Sequence, residues 1–277
     1  MSSDRETNLT ASDRLILDHY RQVAATHGFS SRSSMEDDVV RAREVEWIRQ
    51  FCLLLRRQWD KSLRVLDLGC GNGYTLSLLA QDNPQEHFWG VDFSQDLLAI
   101  ASERKIPNCV LAQGDARHLN LDDDFFDLVY TERCLINILD WAEQQAALQE
   151  IARVLRRGGF YVMIECFLDG LESNNKARAE CGLSAIKEAH HNKYLEADLI
   201  REAISGLFTI VDPSNLGSDR FTFQSNFLSS YYFVSRVLYP AIAKGEVARN
   251  SEIARFFSFL PAVGNYSPIQ AYVLRKK

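Results

Sequence analysis

Residues 64–73 read RVLDLGCGNG, a short apolar run that breaks with no linker into three glycines at alternate positions. Such a run, ended at once by turn residues, reads as a buried strand. Glycines directly after it let the backbone turn sharply and approach a ligand with no Cβ in the way. The helix expected next, over 74–80, begins with N–H groups that lack partners within the helix. Further strands are expected over 87–92 (HFWGVD), 109–112, 126–130 (FDLVY) and 160–165 (FYVMIE). Helices fill the gaps. Ser94 caps one that runs to about Arg104, and Asp140 opens another as N-cap, with Glu143 completing a capping box. Leu148, Ile151, Ala152 and Leu155 form the inner face of that helix; Arg156 and Arg157 suit its negative end, and Gly158 ends it. Strand and helix thus alternate five times at intervals of roughly 20 to 30 residues. This spacing demands crossover connections, so the sheet is mainly parallel and covered on both faces. Ligands of such sheets sit beyond the carboxyl ends of the strands.

The flanks are organised differently. Residues 1–10 are polar and expected to be disordered, 12–26 and 36–57 read as helices, and the Ser-rich stretch 30–34 as a loop. After residue 165 a helix over 195–204, ended by Gly206, precedes strands over 207–211 and 269–274. About 55 residues lie between those strands, aromatic-rich over 221–239 and too long for a plain turn. They read as a helical insertion packed over one end of the sheet. The expected division is a helical cap (1–60), a core (61–211), the insertion (212–267) and a last strand (268–277).

Composition narrows the partners. With 31 basic against 37 acidic residues the net charge is -6, which counts against a nucleic-acid surface. No stretch approaches the ~18 to 20 apolar residues of a membrane span, and the polar N-terminus lacks a signal-peptide core, so a cytoplasmic protein is expected. Six cysteines form no CxxC pair and read as buried free thiols rather than metal ligands. Cys134 is the best placed of them for a catalytic role, but no activating partner can be named.

Three acids sharpen the glycine turn. The pattern is G-x-G-x-G followed by Tyr74, whereas a pyrophosphate-binding turn wants a small residue at the later position. Asp67, in the strand just before the glycines, would repel a pyrophosphate but help hold an ammonium group. Asp92 closes the second strand and suits a ribose diol, of NAD or of an adenosyl cofactor. Asp115 follows the third strand, where a carboxylate can accept from an adenine amino group.

On these residues the chain resembles the class I S-adenosylmethionine (SAM)-dependent methyltransferases. The matching pieces are VLDLGCGNG (65–73), GVDFS (90–94), QGDA (113–116), FDLVYTERC (126–134) and RVLRRGGFYVMIE (153–165). The resemblance implies an α/β fold: a Rossmann-like, seven-stranded, mostly parallel sheet with helices on both faces and an antiparallel last strand, preceded by N-terminal helices and carrying the helical insertion. It implies SAM as cofactor. Gly69, Cys70, Gly71 and Gly73 would line its methionine part, with Asp67 at the amine; Asp92 and Phe93 would meet the ribose, and Asp115 and Ala116 the adenine. Thr131 is placed at the same site, with Tyr20 or Arg41 near the cofactor carboxylate. A narrower resemblance, carried by 33–48, 132–138, 189–195 and 229–240, is to methyltransferases of bacterial surface-polysaccharide and sugar-modification clusters.

Methyl transfer is an in-line displacement, and an alcohol acceptor must also lose a proton. Candidate bases are Glu132, Glu165 and His191. Each has a plain alternative: Glu132 as partner of Arg133, Glu165 as a hydrogen-bond anchor for the insertion, His190 and His191 as a loop pair. Arg133, Asn137, His190, Asn192, Tyr231, Tyr232 and Arg236 are candidate acceptor contacts, Arg236 suiting a phosphate or carboxylate. No metal is expected, since no third ligand accompanies the histidine pair. The expected activity is methylation of a small molecule, with a sugar, nucleotide-linked sugar, saccharide terminus or phosphorylated metabolite as the favoured acceptor. O- or N-methylation of a natural product, a non-catalytic SAM-binding protein and a dehydrogenase are the alternatives. Oligomeric state stays open.

Overall fold

Seven strands make one sheet in the order β3-β2-β1-β4-β5-β7-β6. They are β1 (Arg64–Leu68), β2 (His87–Asp92), β3 (Cys109–Gln113), β4 (Phe126–Glu132), β5 (Leu155–Cys166), β6 (Phe208–Val211) and β7 (Ile269–Lys276). The computed structural model describes residues 9–33, 35–217, 221–243, 245 and 247–277, so most of the expected disordered N-terminus lies outside the described residues. β1 to β5 run parallel, and β7 lies antiparallel between β5 and β6. The reversal of β7 places the chain's last residues beside β5 without a further crossover.

Register decides where ligands meet the sheet. Leu68 pairs with Val91 on one side and Thr131 on the other, so β1, β2 and β4 end level with one another. Their side chains form the core: Val65, Leu66, Leu128, Val129, Val162 and Met163 are fully buried. The helices are α1 (Ala11–His27), α2 (Asp38–Trp59), α3 (Tyr74–Asp82), α4 (Gln95–Glu103), α5 (Trp141–Val154), α6 (Leu168–Glu180), α7 (Ala197–Ile204), α8 (Ser229–Phe233), α9 (Tyr239–Ala243) and α10 (Glu252–Phe257). Trp47 and Phe51 of α2 stack on each other, and each meets Phe223 of the insertion edge-on.

Three expectations need correcting. Leu155 does not sit on the inner face of α5; the helix stops at Val154, and Leu155 opens β5 opposite Phe126. The cause is Asp127, wholly buried, whose carboxylate takes Lys61, the Arg64 N–H and Arg156. Arg156 is thereby drawn into the sheet instead of onto the helix end, and Gly158, at φ +72°, lies in the strand rather than at a helix cap. Only half of the capping box forms: Asp140 accepts from the Glu143 N–H, but the Glu143 carboxylate turns to Arg117. Finally, the stretch between β6 and β7 is not uniformly helical. Short pieces α8, α9 and α10 and a π-turn at Val234–Leu238 follow an extended stretch in which Ser225 bonds the Ala271 backbone twice.

Candidate active site

Gly69, Gly71 and Gly73 all have positive φ, at 84°, 55° and 72°, a region that side chains with a Cβ seldom enter. A Cβ on Gly69 would lie 2.8 Å from Cys134, and one on Gly73 3.0 Å from Ala101 and Ile106. The first glycine therefore lets the turn after β1 pass the segment after β4; the third seats the start of α3 against α4. The N–H groups of Gly69 and Cys70 both reach the Val91 carbonyl, at 2.8 and 3.1 Å. Asp92 completes the turn by accepting from Gly71 N–H at 2.7 Å and from Ser94 N–H at 2.8 Å. Burial nevertheless wins over these bonds and pushes the Asp92 carboxyl up to about 6.

A cleft of about 940 Å³, open mouth included, lies beyond these strand ends. Gly69, Gly71, Asp92, Phe93, Asp115, Ala116, Tyr20, Glu132, Arg133 and Asn137, all singled out from sequence, line it together. Cys70, buried beneath the turn, and Gly73 lie just behind its wall. The sequence reading did not single out Ile16 and Leu17 of α1, Leu97 of α4, or Ile138 and Leu139, which supply much of the apolar lining. Nor did it single out Arg117, although that residue stands directly after Asp115-Ala116. A helix as polar as α1 gives no sign in the sequence of which edge of the sheet it will cover.

A buried charged cluster lies behind the cleft wall, and of its members Glu132 and Arg133 reach the lining. Asp67 accepts from the Tyr130 hydroxyl at 2.9 Å, while its other oxygen has no hydrogen-bond partner. Burial, reinforced by the charge of Glu132, raises its carboxyl well above the ordinary range. Glu132 lies 3.5 Å from Arg41, and Arg133 is paired with Glu44. All five of these charged residues are at least nine-tenths buried. Arg133 keeps Nε and one Nη without partners. Arg133 has a φ of +57°, unusual for a bulky side chain, and lines the cleft. Arg41 lies behind the wall rather than on it. Thr131 is turned into the core, where its hydroxyl meets that of Tyr161 at 2.9 Å.

A second cavity of about 650 Å³ adjoins the cleft and shares Tyr20, Arg133 and Asn137 with it. The Tyr20 hydroxyl accepts from Asn137 at 2.9 Å, which fixes this common partition. Its walls mix polar side chains, His19, His27, Arg32, Glu36, His191 and Asn192, with the apolar Val23, Met35 and Ile136. His191 stacks on His19 with ring centroids 3.8 Å apart, and the exposed His190 meets both edge-on. Burial, then the two neighbouring imidazoles, lowers His191 to about 4, and its Nδ1 has no partner.

The remaining candidates stand apart from both cavities. Glu165 is fully buried and accepts from the N–H groups of Cys134, Leu135 and Ile136, at 2.9, 3.1 and 3.3 Å. Thus it anchors the turn after β4 rather than the insertion, and burial pushes its carboxyl up to about 7. Tyr231 donates to Asp37 at 2.7 Å, and Arg236 lies 3.6 Å from the same carboxylate. These two residues tie the insertion to the N-cap of α2, while Tyr232 packs partly buried on the core. Among the described residues no helix is long and apolar enough to cross a membrane, and no group of three or more His, Cys, Asp or Glu side chains is placed to hold a metal.

Comparison with known proteins places this geometry. Residues 65–159, about a third of the chain, match the family described as "Methyltransferase domain". The ubiquinone/menaquinone biosynthesis C-methyltransferase UbiE of Campylobacter jejuni subsp. jejuni is 29% identical over 157 residues, 54% of this chain and 63% of that protein. The demethylmenaquinone methyltransferase of Staphylococcus carnosus is 37% identical over 111 residues, 39% of this chain and 45% of that protein. The chain thus spans less than two thirds of the length of these curated relatives. In three dimensions it resembles the Haemonchus contortus phosphoethanolamine N-methyltransferase 1, with TM-score 0.57 and 16% identity over 98% of this chain and 50% of that one, a likeness of fold. Glycine turn, strand-end acids and matched domain agree: over residues 65–159 the chain carries a methyltransferase domain similar to those of the class I SAM-dependent enzymes.

Proposed function

We propose that this protein transfers a methyl group from SAM to a hydroxyl of a sugar, a nucleotide-linked sugar, a saccharide terminus or a related phosphorylated metabolite. The observation that carries the reading is the pair of adjoining cavities that share Tyr20, Arg133 and Asn137 as common wall. One has the lining a nucleoside needs, and the other carries several hydrogen-bonding side chains, His191 and Asn192 among them. The residues present fit the cofactor. Arg133 has unused donors and Asp67 an unused acceptor oxygen, a set that complements a carboxylate and an ammonium on one ligand. Phe93, Leu97 and Ala116 offer an apolar slot beside Asp115. When bound, the cofactor supplies a methyl group on a positively charged sulfur.

The chain's own part is to align the acceptor, exclude water and take a proton. His191 is neutral at pH 7 because its pKa is lowered to about 4, and its unpartnered Nδ1 can accept from an acceptor hydroxyl. So weak a base suffices where the hydroxyl proton becomes acidic only as the new O–C bond forms. Asn192 and Asn137 add polar contacts on the same wall. Glu132, held by Arg41, serves the cofactor side. The hydrogen-bonding side chains of the second cavity and the narrower sequence resemblance favour a polyhydroxylated acceptor over the quinones named in the curated relatives. Incubation with SAM and a panel of nucleotide sugars and saccharides, followed by mass spectrometry, tests this. The expected result is one methyl added to a hydroxyl, abolished by His191→Ala and unaffected by EDTA. Methylation of a quinone ring carbon with every hydroxyl acceptor inert would overturn it.

A further inference from the structure

The adenine end of the cleft holds an ion cluster assembled from three elements. Arg117 gives Nε to both oxygens of Asp115, at 2.9 and 3.0 Å, and one Nη to the same carboxylate at 2.6 Å. That Nη also meets Asp13 of α1 at 2.9 Å, while the other Nη meets Glu143 of α5 at 2.8 Å. Asp13 additionally accepts from the Thr10 N–H at the head of α1, so the contact engages the helix cap itself. Asp115, expected to read the adenine amino group, is thus committed to a guanidinium in this structure.

Past its first two turns α1 is held at Tyr20 by Asn137 and at His19 by the stack on His191, whereas its N-terminal half has few other ties. Of the helix's 17 residues only Asp13 and Ile16 are buried. Its far end is tied down by Asn72, which donates to the Gly28 and Ser30 carbonyls at 2.8 and 3.0 Å, and by Arg104, which donates to the Phe29 carbonyl. The C-terminal end of the helix is therefore moored to the glycine turn, and its N-terminal end hangs on Arg117. Yet α1 supplies Ser12, Asp13, Ile16, Leu17 and Tyr20 to the cleft wall.

We infer that Arg117 is a positioning residue that latches the N-terminal half of α1 across the cofactor cleft, so that breaking its contact with Asp13 frees that half while the Tyr20 to Gly28 end stays moored. The inference rests on the proposal that the cleft binds SAM. One guanidinium balances three carboxylates, so its removal leaves like charges converging and drives that half of the helix outward. Arg117→Lys, a point charge without the planar fork, restores the latch in part.

Hydrogen exchange on the free protein and stopped-flow release of S-adenosylhomocysteine (SAH) test it together. With Arg117→Ala, amides of the first half of α1 should exchange faster while those of β1 and β4 stay protected, and SAH should leave about tenfold faster. Asp13→Asn, which leaves the Arg117–Asp115 pair intact, should act in the same direction and less strongly. Added salt should accelerate SAH release from the wild type more than from Arg117→Ala. If Arg117→Ala loosens the core as well, Asp13→Asn decides the matter. Unchanged α1 exchange in both variants overturns the latch. A wild type that shows the latch in exchange yet binds no SAH would instead overturn the cofactor reading.

Discussion

Both oxygens of Asp92 accept backbone N–H groups, from Gly71 and Ser94, so one carboxylate shapes the glycine turn and starts α4. Its folded pKa, about 6, lies above the ordinary carboxylate value of 3.8. Between those values the free folded protein holds a proton that the unfolded chain has lost, so this group's contribution to stability falls as pH rises through the window. Accepting a diol favours the ionised form. SAH affinity should accordingly weaken about tenfold from pH 7 to pH 5, and Asp92→Asn should flatten that profile, as calorimetry at several pH values would read. Glu165 makes a different demand: Glu165→Ala strands three buried N–H groups and should cost about 3 kcal/mol in urea unfolding, whereas Glu165→Gln, which keeps an acceptor, costs less. Asp67, Asp92 and Asp115 were legible in the sequence because each stands at or near a strand end, Asp67 two residues before the glycine run, Asp92 closing HFWGVD and Asp115 between Gly114 and Ala116. Glu44, the partner of Arg133, was not, because 89 residues separate the two and nothing local to either announces the other.

α6 shows what a pattern-based reading misses among the elements. Its sequence, LDGLESNNKARAE, has almost no apolar stripe, so no helical period stands out. The helix is held instead by polar bonds, Asn174 to the Tyr266 carbonyl and Arg178 to the Ser184 carbonyl, both made to distant or irregular backbone. Close approach matters as much: a Cβ on Gly170 would fall 1.9 Å from the Ser267 carbonyl oxygen. Gly170→Ala should therefore push α6 off the segment before β7 and cost about 3 kcal/mol, seen as a lowered urea midpoint with an unchanged slope. The misplaced boundary at Leu155 has a similar origin. Helical spacing continued to Leu155, but the buried Asp127 carboxylate, which no window around Leu155 contains, claimed Arg156 for the sheet.

At the scale of the molecule, the alternation of strands and crossovers carried the parallel part of the sheet, and the resemblance carried the reversed β7. The partition of two cavities by Tyr20, Arg133 and Asn137 was out of reach, since it joins α1 to the turn after β4 by a contact between residues 117 apart. Ligand linkage makes this arrangement measurable in the whole protein. SAH at a hundredfold excess over its Kd should add about 2.7 kcal/mol of stability and raise the melting temperature by roughly 5 °C or more. The most direct test of the central claim is calorimetric titration of the folded protein with SAH, repeated on Asp92→Ala. Saturable binding at one site per chain, weakened at least about tenfold by the substitution, is the predicted result. An undiminished affinity in a folded Asp92→Ala protein, or no binding of SAH or SAM to the folded wild type, would contradict the account.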